Sequence, residues 1–109
     1  MLISVAALLL APAQVAPTTA DEYAQCAFIA TVRSKSESLS TEEKAAWDTK
    51  SGTYINKAIA MAYPGKNPTD DEIATLATRG RDLIAKGIEG FDTETTGMLL
   101  NSLLETCDS

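Results

Sequence analysis

The chain has 109 residues, 45% hydrophobic and 22% charged, with nine lysines and arginines against fifteen acidic residues, a formal charge of -6 and no histidine. That composition describes one globular domain rather than a disordered chain, and its acidity argues against binding nucleic acid or anionic lipid through phosphate contacts. Without histidine there is no Ser-His-Asp triad, no H-E-x-x-H zinc site and no Glu-x-x-His di-iron site, so the expectation is a protein that is not an enzyme and needs no cofactor or metal.

The chain opens on an apolar run from Leu2 to Ala11, followed by Pro12 and Ala13. This matches the hydrophobic stretch and small-residue cleavage site of a secretory signal, although no positive residue precedes it. Cleavage is expected after Ala13 or after Ala20, so residues 1–20 read as signal peptide and leader and residues 21–109 as a single helical domain. The run falls short of the ~20 apolar residues that cross a bilayer. The processed protein is therefore expected to carry no membrane span and to be periplasmic or secreted.

Four helices follow, at roughly 20–37, 41–63, 70–89 and 93–107. Thr19 with Glu22, Ser40 with Glu43, and Thr69 with Glu72 have the spacing of capping boxes, in which hydroxyl and carboxylate satisfy each other's backbone N–H groups. Asp92 is a fourth candidate cap. In the first segment, "YAQCAFIATV" is apolar almost all round, which predicts a helix buried on several sides at the centre of the core. The second carries a stripe of Trp47, Ser51, Tyr54, Ile55, Ala58, Ile59 and Ala62. In the third, Ile73, Leu76, Ala77, Leu83, Ile84 and Ile88 share a side with Gly80 and Gly87. Leu100, Leu103, Leu104 and Cys107 mark the fourth. The second and third follow the i, i+3, i+4, i+7 pattern of amphipathic helices, and no segment alternates as a strand would. "RSKSESLST" and "YPGKNP" separate the first three, because serine side chains compete for backbone groups and proline ends a helix. The two glycines, poor helix formers, predict close approach of a neighbouring helix.

The only cysteines are Cys26, in the first helix, and Cys107, at the end of the fourth. In an up-down bundle an even number of helices returns the chain's end to its beginning, so these two are expected to form one intramolecular disulfide in an oxidising compartment. Closing so long a loop removes about 4 to 5 kcal/mol of unfolded-state entropy in the chain-entropy model. Neither cysteine belongs to a C-x-x-C redox motif.

Other motifs carry less. "DTETTG" from Asp92 to Gly97 has the oxygen spacing of a calcium loop's first half, but the twelfth position, where such a loop needs a bidentate carboxylate, is Leu103. "KSG" at Lys50 to Gly52 lacks the partner box of serine enzymes that use it, and the serines and lysine of "RSKSE" read as a solvated turn. Trp47, Tyr54 and Tyr63 are candidates for a ligand groove, with core packing the better account at helical spacing. Asp82 and Lys86 form an i, i+4 pair on a solvated face.

No motif assigns the chain to a family. In size, helicity, export and its single cysteine pair it resembles the periplasmic acid-stress chaperones. The expectation is a small exported four-helix bundle acting as a non-catalytic protein-binding, structural or stress-related module, as a monomer or weak homo-oligomer with an unidentified protein partner. The alternative is a carrier of a small apolar ligand in the bundle core.

Overall fold

Each helix begins where a short polar side chain takes up backbone N–H groups that lack an intrahelical partner. The computed structural model describes residues 17–108. Within them the chain forms α1 (Ala20–Ser34), α2 (Thr41–Ala62), α3 (Asp70–Gly87) and α4 (Thr93–Cys107), with no strand. The expected signal sequence falls mainly on residues 1–16, which lie outside that range. Among the described residues no helix is long and apolar enough to cross a membrane.

Ser40 and Thr69 form complete capping boxes. Ser40 Oγ accepts from the Glu43 N–H at 3.2 Å while Glu43 Oε1 accepts from the Ser40 N–H at 2.9 Å, and Thr69 and Glu72 repeat the exchange. In α1 the Thr19 hydroxyl accepts from the Glu22 N–H, and the Glu22 carboxylate accepts from the Thr18 N–H. Asp92 caps α4 through the Thr95 N–H. The backbone bonds hold the carboxyls of Glu43 and Asp92 below their ordinary range.

Three helices end earlier than the sequence pattern suggests, each for a local reason. α1 stops at Ser34 rather than near 37: Ser34 Oγ donates to the Thr31 carbonyl, and the Ser36 N–H turns back to the Arg33 carbonyl, closing a tight turn. α2 stops at Ala62, with Tyr63 as its cap, because Pro64 drives the residue before it out of the helical region. α3 stops at Gly87, and Gly90, at φ +87°, turns the chain towards α4.

The bundle is built around α1. As its sequence predicts, Tyr23, Ala24, Cys26, Ala27, Ile29 and Ala30 are all buried, and α1 packs against each of the other three helices. One apolar cluster joins α1 to α2 through Tyr54 and Ala58, with Leu76 and Cys107 beside them; a second gathers Ile29, Ile84, Leu103 and Leu104. The half-buried Trp47 packs on both. Each large side chain so buried stabilises the fold by about 1.5–3 kcal/mol. Leu99, outside the expected stripe, is buried as deeply as Leu103, whereas Ala62 and Ala77, inside their stripes, are exposed.

Small residues let the backbones meet. Ser51 Oγ on α2 donates to the Ala27 carbonyl on α1 at 3.1 Å. Where α3 crosses α1, a Cβ placed on Gly80 would lie 2.3 Å from the Ala24 carbonyl oxygen, so only glycine fits. The ion pair Arg79 Nε to Asp21 Oδ1, 2.9 Å long, spans the same crossing.

Candidate functional site

Cys26 and Cys107 form the expected disulfide, with Cα atoms 6.0 Å apart across a sequence separation of 81 residues. Both cysteines are buried. The bond joins the middle of α1 to the last turn of α4, and the residue after it is fixed as well. The Tyr54 hydroxyl donates to Asp108 Oδ1, and Lys50 Nζ lies 2.9 Å from Asp108 Oδ2. Burial, reinforced by the Asp108 carboxylate, raises the Tyr54 pKa well above its ordinary value. Partial burial of Asp108 opposes its ionisation, but the hydrogen bonds from Tyr54 and Lys50 and the charges of Lys50 and Lys57 outweigh it and lower its pKa.

The three aromatic candidates are dispersed rather than gathered into a groove. Tyr54 is 2% exposed and belongs to the core. Tyr63 caps α2. Trp47 lies within cation–π range of two cations, with the Arg33 guanidinium 5.3 Å and Lys50 Nζ 4.9 Å from its ring centroid. A recess of about 290 Å³ beside it is walled by Arg33, Asn101, Leu104, Glu105 and Asp108. Asp92, the first oxygen of the calcium-like spacing, is engaged as the cap of α4. Gly52, of the "KSG" triplet, lies in mid-α2 beside the paired Lys50 and Ser51.

A further opening lies between α3 and α4. These two helices follow each other in the chain but hardly touch, since each packs against α1 instead. The gap between them is a groove of about 450 Å³. Its α1 floor is Phe28, Ile29 and Val32; Ile84 and Ile88 form the α3 wall, and Gly97 and Leu100 the α4 wall. Gly97 contributes open space, for a Cβ there would meet nothing within 4 Å. Arg33, Ser36 and Asn101 supply the polar groups, and Arg33 is the one charged residue among these walls. Arg33 and Asn101 also line the recess beside Trp47, so they stand at the boundary between the two spaces. A shallower cleft of about 310 Å³ lies on the other side of α3, against α2, with Phe28 dividing it from the groove.

The sequence pattern did not single out this groove, Arg33 or Asp108. One signal for the groove was present: α3 and α4 each carry a single narrow apolar stripe, and both stripes are used on α1. Comparison with models of known protein families, with curated proteins and with solved structures yields no match.

Proposed function

We propose that the protein is an exported, non-catalytic binding module whose working site is the α1–α3–α4 groove. The observation that carries this reading is the groove itself: an apolar trough of about 450 Å³ left open between two helices that pack on a common third. That volume falls within the range of small-molecule sites, about 300–1,000 Å³, which are largely apolar with a few placed polar groups. The carrier alternative drawn from the sequence thus gains support, with the site at the side of α1 rather than deep in the core. A non-catalytic role accords with a chain that has no histidine and whose hydrogen-bonded Tyr54 and Asp108 are committed to holding the end of α4. The disulfide accords with an oxidising, extracytoplasmic compartment.

The contacts at the start of α1 favour signal cleavage after Ala13. A cut after Ala20 would remove Thr19, whose hydroxyl caps the helix, and Thr18, whose N–H holds Glu22. N-terminal sequencing of the exported protein decides this.

Nile red, an uncharged apolar dye, tests the site. It is expected to bind one molecule per chain and to be displaced when the groove is filled by Gly97→Leu. Binding unaffected by that substitution would move the site elsewhere. A protein partner is the second reading, favoured by the exposure of Val32, Phe91 and Met98, at 51%, 46% and 56%. In its stress-related form, acid neutralises fifteen carboxylates and leaves nine cations, so self-repulsion loosens the fold. Light scattering by an aggregating client near pH 2 to 3, with and without the protein, tests that form.

A further inference from the structure

We infer that the groove takes a linear amphiphile with a single carboxylate head, a fatty acid in chemical class, with its chain along Phe28, Ile84 and Leu100 and its head at Arg33. The inference rests on the groove being the binding site and adds what the ligand must be. Charge carries it. In a protein of formal charge -6, the one charged residue lining an otherwise apolar and neutral trough is a cation. Among the described residues no carboxylate pairs with Arg33; its guanidinium rests on the Trp47 ring. A cation–π contact of this kind engages the charge and not the hydrogen-bonding fork of the guanidinium, and that fork matches a carboxylate.

The position of Arg33 fits the same occupant. It stands at the border of the apolar groove and the polar recess, with Asn101 as a second donor lining both spaces. A chain in the groove thus ends where donors begin. Two carboxylates, Glu105 and Asp108, also line the recess, and Asp108 is already held by Lys50 and Tyr54. One arginine suits a monoanion better than a doubly charged phosphate head. An alkyl chain would also supply the contacts that α3 and α4 do not make with each other, so binding should stabilise the fold.

Trp47 is the single tryptophan of the chain and touches Arg33, so its emission reports on the head-group position. The test titrates the disulfide-bonded protein with laurate below its micellar concentration, with 1-dodecanol and dodecyltrimethylammonium as neutral and cationic counterparts. Trp47 emission, the thermal midpoint and native mass spectrometry are the readouts. Laurate should bind one to one, at least tenfold more tightly than either counterpart, shifting the emission and raising the midpoint. Arg33→Gln should remove the preference for laurate over dodecanol while Nile red binding persists, Arg33→Lys should restore much of that preference, and Gly97→Leu should weaken all the probes together. If laurate and dodecanol bind alike and Arg33→Gln changes neither, the acid-head inference is overturned while the groove reading stands. If neither Nile red nor any of the three amphiphiles binds, both fall.

Discussion

Gly80 and Gly97 sit on consecutive helices in opposite surroundings. At Gly80 two backbones are so close that a methyl group would collide with the Ala24 carbonyl, whereas at Gly97 a methyl group would meet nothing. The first glycine is there because α3 must lie against α1; the second borders a space that the fold leaves unfilled. The same contrast divides the molecule. Where α1 meets α2 and crosses α3 there are small residues, interhelical hydrogen bonds and an ion pair. On the α4 side there is a disulfide, a tethered Asp108 and an open groove. Close backbone approach secures one side, and on the other the buried Leu99, Leu103 and Leu104 share the work with covalent and polar ties at one end.

The strongest way to break this contrast is to remove the disulfide. Replacing Cys26 and Cys107 with alanine should cost about 4 kcal/mol in urea melts. Hydrogen exchange should then accelerate first in α4, while amides of α1 and α2 stay protected; uniform acceleration would erase the distinction between the two sides. Next in size, Gly80→Ala should destabilise by about 3 kcal/mol, the strain of separating the helices outweighing a gain of about 1 kcal/mol in helix propensity. Tyr54→Phe should cost about 1 kcal/mol, since its partner Asp108 is half exposed and solvent screens the bond.

The pH profile sharpens the same point. Asp108 has a lowered pKa when folded, so its contribution is complete above the ordinary carboxylate value near 4 and is lost as the pH falls through the lowered value. Tyr54 has a raised pKa, so its contribution is complete below about pH 10 and fades as the pH rises beyond that. Tyr54→Phe should therefore flatten stability at the alkaline end and weaken the acid-side dependence due to Asp108, as thermal midpoints across pH would record. Smallest of all, Gly97→Ala should stabilise by up to about 1 kcal/mol, because α4 gains propensity without a clash. A loss there would show the groove to be tighter than its geometry indicates.

Much of the fold was legible because its signals are local. Ser40 and Thr69 open their helices through hydrogen bonds exchanged with the residue three positions on, and the apolar spacing of Leu76, Gly80 and Ile84 marks one face of a cylinder. Cys26 and Cys107 were also within reach, since two cysteines in an even-helix bundle allow one pairing within the chain. The groove depends instead on something no window of sequence holds, namely that α3 and α4 spend their apolar stripes on the same partner and leave each other uncovered. Arg33 was hidden for a related reason. In the chain it belongs to a polar, serine-rich run, and its setting arises only when Trp47 and Asn101 arrive from other helices. The helix ends were misjudged by up to three residues where serine and glycine compete locally with backbone bonds.

The 81-residue separation of the two bonded sulfurs has a consequence for how the molecule is made. Synthesis delivers Cys26 first, on the helix around which the others assemble, and its thiol has no native mate until the remaining three helices have followed. The bond can therefore close within the chain only after all four helices have been made: a product cut short before Cys107 carries Cys26 without its mate, and a finished, bonded one does not.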